Sequence, residues 1–340
     1  MRIALDAMGS DTFPEPDVAG AVLAAREYGE TIFLVGDEAR IKAELGKHQT
    51  AGLKLDIVHA PQMVEMTDKP SVVGKAKPNS SMHVGMNLVK DGRADAFVTA
   101  GNTGAALAIA TLHTLRRIPG VKRPALSAII RLEGANAILL DVGANADSKP
   151  DWLAQFALMG KLYAQSALGL ENPRIGVLSN GEEEGKGNQL VQEASALIRA
   201  LPLNFVGNIE PKDFLKGTAD VVVADGFVGN IMLKSLEGAT SKMANVIRTE
   251  LKRNVLSMLG AALARPAFRR VYKQIDPSEV GGAPLLGVNG VVIIGHGRSN
   301  AKAIKNAIGQ ARKAVAGNLI DSIRHGLDQM TEPDQLREST

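Results

Sequence analysis

The sequence predicts a three-layer α/β/α fold around a mostly parallel sheet, and two observations carry that prediction. Short, near-continuous apolar runs recur along the chain, as strands buried on both faces require. Each run ends in a Gly/Asn-rich loop that opens a helical pattern, the order of right-handed βαβ units. A chain of 340 residues, 45% hydrophobic and 22% charged, is ample for one large core. No stretch is rich enough in Pro and Ser to be a linker, so a single domain over residues 1–340 is expected.

Ile3-Ala4-Leu5 opens the first strand and leads into Asp6-Ala7-Met8-Gly9-Ser10-Asp11, with a helix over 16–28. Strands follow at 31–35 and 53–59. Another over 96–99 ends in Ala100-Gly101-Asn102-Thr103-Gly104, and a helix is predicted over 105–115. Residues 127–132 and 137–140, parted by Gly134, read as a hairpin or two successive strands, closing on Asp141-Val142-Gly143-Ala144-Asn145. Strands over 174–178 and 221–224 end in Ser179-Asn180-Gly181 and in Asp225-Gly226-Phe227-Val228-Gly229-Asn230. The last, over 291–294, ends in Gly295-His296-Gly297 before a helix over 301–316. Residues 330–340 are polar and uncapped and are expected to fray.

Composition narrows the chemistry. With no cysteine, disulfides, thiolate metal sites and thiol catalysis are excluded. Strand-like residues from Ile3 leave no room for a signal peptide, so a cytoplasmic protein is expected. Only 12 residues are aromatic, too few for a nucleic-acid site that stacks bases. The six histidines lack metal-ligand spacing, and no G-x-S-x-G elbow occurs.

Ligands of open α/β sheets bind beyond the carboxyl ends of the strands. Glycine lets backbone amides approach a ligand, and helix N-termini favour anions. The same residues are also ordinary turn formers. Five such loops at one edge of the sheet would suit a phosphate or an oxyanion. Residues 180–188, Asn-Gly-Glu-Glu-Glu-Gly-Lys-Gly-Asn, differ from a Walker A loop in spacing and in lacking the hydroxyl after Lys186. What remains is one lysine in a glycine loop, a point charge for a phosphate unless the three glutamates neutralise it. His83 and His296 are the two histidines near candidate loops.

Residues 248–273 hold seven cations and one acid, a local charge of +6 within a chain of net +3. Between the cations lies the apolar run 255–264, too short for a bilayer, which needs roughly 20 residues. Pro266 should break the helix. The expectation is a protruding helical hairpin over 240–280 with an apolar tip and a basic collar. Leu256, Met258, Leu259 and Leu263 with Arg253 and Arg265 would touch a membrane surface. A dimer interface or an acidic partner fits the same pattern.

Several motifs in this order resemble the bacterial acyl-ACP:phosphate acyltransferase family of phospholipid synthesis. They are Ala4-Leu5-Asp6-Ala7-Met8-Gly9-Ser10-Asp11, Lys77-Pro78-Asn79-Ser80-Ser81-Met82, the loops ending at Gly104, Asn145 and Asn230, the 178–187 loop, and Gly281-Gly282-Ala283-Pro284-Leu285-Leu286-Gly287. The resemblance implies a fold similar to isopropylmalate-type dehydrogenases and phosphotransacetylases. It also implies a homodimer without cofactor or metal that converts acyl-ACP and inorganic phosphate to acyl phosphate. The family is cytoplasmic and loosely membrane-associated, and hands its product to a membrane glycerol-3-phosphate acyltransferase.

The residues suit that chemistry. Phosphate is already a nucleophile at neutral pH, so the protein need only position it and stabilise the oxyanion. Lys186 is expected to meet the phosphate charge. Asn102, Thr103, Asn180 and Asn230 would give neutral donors, Asp225 would orient one of them, and His83 would protonate the leaving group or simply pack. Gly101, Gly104, Gly143, Asn145, Gly185 and Gly229 would shape the pocket, and Lys75 and Lys77 would meet the acidic acyl carrier protein. Two rivals remain: a short-chain phosphotransacetylase of the same fold, and a membrane-docking scaffold without catalysis.

Overall fold

The computed structural model describes residues 1–132 and 134–337, with side chains described as far as Met330. The first half contains β1 (Arg2–Asp6), α1 (Glu15–Tyr28), β2 (Thr31–Gly36), α2 (Glu38–Leu45) and β3 (Leu55–His59). Then come α3 (Pro70–Ala76), α4 (Ser81–Lys90), β4 (Ala96–Thr99) and α5 (Thr103–Ala108), which continues as a π-helical turn over Ile109–His113. The middle contains β5 (Ala125–Arg131), β6 (Asn136–Leu140), α6 (Pro150–Tyr163), β7 (Ile175–Leu178), α7 (Gln189–Arg199), β8 (Phe205–Ile209), α8 (Pro211–Leu215) and β9 (Val221–Val223). Three helices follow, α9 (Gly226–Leu251), α10 (Val255–Leu263) and α11 (Arg265–Ile275). The chain closes with β10 (Ala283–Leu286), β11 (Val291–Ile294), α12 (Ala301–Ala316) and α13 (Leu319–Arg337). The segment expected to fray is helical to Arg337, and residues 338–340 lie outside the described ones.

The eleven strands among the described residues join one sheet in the order β3-β2-β1-β4-β11-β10-β5-β6-β9-β7-β8. Alternate residues of each strand enter opposite cores. Ile3 and Leu5 join the one packed by α1, α6 and α12, while Ala4 and Phe97 join the one packed by α4 and α5. Burial on both faces is why the strands read as unbroken apolar runs.

Strand direction corrects one expectation. β1 to β4 and β11 run parallel to one another, and so do β6 to β9. The pairs β11–β10, β10–β5 and β5–β6 are each antiparallel, and three reversals leave the two sets opposed. The carboxyl ends of β4 and β11 therefore lie at one edge of the sheet, and those of β6, β7 and β9 at the other. The five glycine loops do not share an edge.

The excursion after β9 has three helices rather than two. Met232, Leu233 and Leu236 of α9 pack on the core, but no residue over 240–275 is buried. Asn254 ends the long helix by capping α10, its side chain accepting from Ser257 N at 2.8 Å. Pro266, in the first turn of α11, restarts the helix as its missing N–H demands.

Candidate active site

Three groups of side chains gather the residues singled out above. The first joins the loops after β6 and β9. Asp141 Oδ1 accepts from the backbone N–H groups of Leu126, Gly143 and Ala144 at 3.0, 3.1 and 2.9 Å. Its Oδ2 accepts from Asn145 N at 2.7 Å and Asn145 Nδ2 at 3.0 Å. Burial lifts the Asp141 carboxyl above its ordinary range, opposed by these hydrogen bonds. Asn145 Nδ2 also donates to Pro124 O at 2.8 Å, and its carbonyl accepts from Gly226 N at 2.8 Å. A Cβ on Gly229 would sit 2.0 Å from Asp141 O, so only glycine lets α9 start this close to the turn. Asn230 Nδ2 donates to Val142 O at 2.8 Å.

The expected role of Asp225 is corrected here. Its carboxylate caps α9, accepting from Phe227 N at 3.1 Å and Val228 N at 2.9 Å, and orients no asparagine.

The second group lies at the opposite edge, after β4. Thr99 Oγ1 donates to buried Asp6 Oδ2 at 2.7 Å and accepts from Gly101 N at 3.0 Å. Asn102 Oδ1 caps α5 through Ala105 N at 3.0 Å, and its amide donates to Met66 O and Asp68 O, each at 3.1 Å. Its donors are thus spent on clasping the 65–68 loop, which corrects its expected role as an oxyanion donor. Lys77 Nζ pairs with Asp68 Oδ2 at 2.6 Å, whereas Lys75 is exposed on α3. Thr103 and Gly104 form the first turn of α5, behind the Asn102 cap.

His83, on α4, is only 4% exposed, and its Nδ1 meets Ser80 Oγ at 2.9 Å. Burial, with the His113 ring 5.9 Å away, holds its pKa below the ordinary histidine value. The burial of the ring and its contact with Ser80 fit the packing alternative expected for His83.

The third group is the loop after β7. Asn180 Oδ1 accepts from Gly187 N at 3.0 Å. From below, Asn208 Nδ2 donates to Glu183 O at 3.0 Å and Lys186 O at 3.3 Å. Gly181 makes room for the lysine stem, since a Cβ there would sit 2.9 Å from Lys186 Cγ. Gly185 has φ +94°, the left-handed region that glycine enters without strain. Two of the three acids are drawn to other cations, while Glu183 Oε2 lies beside the Lys186 stem, both crowding the place of a Gly181 Cβ. Glu184 pairs with Arg199 at 2.8 Å, and Glu182 leans toward Lys212 at 3.9 Å. Lys186 is exposed and has no carboxylate partner among the described residues.

A cavity of about 1000 Å³ connects the first two groups. Gly104 and Asn145, from opposite edges of the sheet, both line it, as do Leu107 and Ala108 of α5 and Thr111 and Leu112 of its π-helical turn. Asp141 and Asp6, the carboxylates that organise the two loop sets, were missed from sequence. Each follows directly on an apolar strand, and that was the available signal.

Known proteins resemble this chain over its length. The family model described as fatty acid synthesis protein matches residues 1–322. A phosphate acyltransferase of Pelotomaculum thermopropionicum is 47% identical over 330 residues, covering 97% of this chain and 96% of that protein. A phosphate acyltransferase of Desulforudis audaxviator is 48% identical over 332 residues, covering 98% of each. In fold, a phosphotransacetylase from Streptococcus pyogenes superposes with a TM-score of 0.61 at 17% identity, covering 92% of this chain and 94% of that one. A branched-chain phosphotransacylase from Enterococcus faecalis gives 0.58 at 15% identity, covering 93% and 99%. At these identities and coverages, the chain belongs to the fatty acid synthesis protein family and stands among its phosphate acyltransferases.

Proposed function

We propose that this chain moves an acyl group from the thioester of an acyl carrier protein to inorganic phosphate. A phosphate oxygen bonds to the acyl carbon, the carbon–sulfur bond breaks, and the thiolate leaves and takes up a proton. No enzyme nucleophile is needed, because phosphate supplies its own. The observation that carries this reading is the 180–187 loop, where, among the described residues, Lys186 has no carboxylate partner and Asn180 engages the loop through its Oδ1 alone. Lys186 meets the phosphate charge there, with Asn180 beside it. Gly143, Asn145, Gly229 and Asn230 form the adjoining wall, on the neighbouring strands of the same sheet edge.

The exposed helices supply the partners. Phe268, Val271, Tyr272 and Ile275 recur along α11, as do Met243, Val246 and Ile247 along α9, each set at helical spacing. Such stripes suit a second copy of the chain. On α10, Leu256 is 80% and Leu263 85% exposed, and with Arg253 and Arg265 alongside they suit contact with an anionic membrane. The enzyme then works in the cytoplasm, against the bilayer that receives its amphiphilic product and houses the glycerol-3-phosphate acyltransferase that consumes it. Lys75 on α3 and the basic collar are the carrier contacts.

Incubation with palmitoyl-ACP and phosphate tests the reading. Phosphate-dependent release of free carrier protein is expected, with little reaction of acetyl-CoA. Phosphate-dependent loss of acetyl-CoA alone would replace the reading with the short-chain rival. Lys186→Ala should lower kcat by at least 100-fold with folding unchanged. An unchanged rate would remove Lys186 from the mechanism.

A further inference from the structure

The large cavity holds features that transfer to phosphate alone does not use. Its volume exceeds what inorganic phosphate requires and lies at the upper end of the ~300–1,000 Å³ range of small-molecule sites. Leu107, Leu112, Val121 and Trp152 give it an apolar strip. Leu112 sits on the π-helical turn, a distortion common at functional sites, and is 58% exposed there. Arg116, Arg117 and Arg123, from one turn, also line the cavity.

That turn is built rather than loose. Arg116 adopts φ +67°, a left-handed conformation costly for a side-chain-bearing residue. Its carbonyl accepts from Asn289 N at 2.9 Å, and its guanidinium donates to Leu112 O. The Arg117 guanidinium donates to Lys122 O, and Ile118 N to Gly287 O at 3.0 Å. The Arg123 guanidinium stands 5.0 Å from the Trp152 ring centroid. Lys122 is paired with Asp151, but none of the three arginines has a carboxylate partner among the described residues.

A strained turn with three arginines that have no carboxylate partner among the described residues, beside an apolar strip, fits a ligand that carries both an anion and an acyl chain. Guanidinium groups match phosphate oxygens bidentately. We infer that the 116–123 turn seats the phosphate of a 4′-phosphopantetheine arm, while the Leu107–Leu112–Trp152 strip takes the acyl chain that the arm carries. This rests on the proposed thioester donor. It assigns the reaction two separate phosphate subsites, Lys186 for the acceptor and the arginine turn for the donor. An arm on a carrier protein and one within coenzyme A share that phosphate.

Trp152 is the only tryptophan of the chain and lines the cavity, so its fluorescence reports occupancy. The probes are octanoyl-4′-phosphopantetheine and octanoyl-pantetheine, titrated without inorganic phosphate so that no turnover is involved. The phosphorylated probe should perturb Trp152 and bind at least tenfold more tightly. In Arg117→Ala plus Arg123→Ala that preference should fall to within twofold, and the corresponding double Lys variant should retain part of it. If the double Ala variant fails to fold, each single change should lower the ratio at least threefold. Octanoyl-ACP and octanoyl-CoA should both weaken tenfold or more in the double Ala variant. Equal binding of the two probes by the wild type, a preference surviving in the variant, or a silent Trp152 at saturation would overturn the inference. A loss confined to octanoyl-ACP would also overturn it, placing the turn against the carrier's surface. Failure of phosphate-dependent turnover would strike the proposed reaction while leaving these binding results standing.

Discussion

Single residues decide which groups remain free to meet a ligand. Asn102 and Asn145 look alike in sequence to Asn180, yet their amides are spent on Met66, Asp68 and Pro124, residues remote along the chain. Sequence marked the loops but not the free donors, because hydrogen-bond satisfaction depends on partners that only folding brings near. Lys186 stays available because Gly181 leaves room for its stem. Gly181→Ala should displace the lysine and lower kcat about tenfold, with Tm nearly unchanged; steady-state kinetics beside thermal melting check this. A third buried acid sets a pH dependence. Asp17 accepts from Ser10 Oγ, and burial, aided by the nearby charge of Asp6, pushes its pKa to about 7. The folded state thus holds a proton that the unfolded chain releases above its lower pKa. Stability from this group is full in acid and falls as pH rises toward 7. Asp17→Asn should flatten that fall, measured by urea unfolding at pH 5 and pH 8. An equally steep fall in the variant would exclude Asp17 as its source.

Elements position those residues and set the molecule's contacts. The helices after β9 were legible as an excursion because seven cations flank an apolar run. Their division into three was not, since it turns on the Asn254 cap and on where α9 stops. The 26-residue α9 begins at the candidate site, with Gly226 against Asn145, and ends beside the exposed apolar helix α10. One element therefore links the site to the surface proposed to touch lipid. Leu256→Glu plus Leu263→Glu should abolish sedimentation with anionic vesicles while leaving turnover of soluble palmitoyl-ACP within twofold. Undiminished sedimentation would refute the membrane role of α10.

At the scale of the whole molecule, the layered fold was legible and strand direction was not. Apolar runs such as Ile138–Leu140 and Val221–Val223 reveal burial on both faces but carry no mark of orientation. Direction is fixed by the antiparallel strands β10 and β5 at the centre of the sheet. β10, with Pro284 inside it, is a motif in sequence rather than an evident strand. The reversal puts the two loop sets at opposite edges, and one cavity is lined by Gly104 from one set and by Ala144 and Asn145 from the other. On the proposed reading this arrangement positions phosphate, and the substrate's own oxygen attacks directly. Intact-protein mass spectrometry, with the enzyme in excess over palmitoyl-ACP and phosphate omitted, tests this most directly. Direct attack predicts unmodified protein and unconsumed palmitoyl-ACP until phosphate is added, and then stoichiometric acyl phosphate. Protein carrying a palmitoyl group before phosphate is added would contradict it.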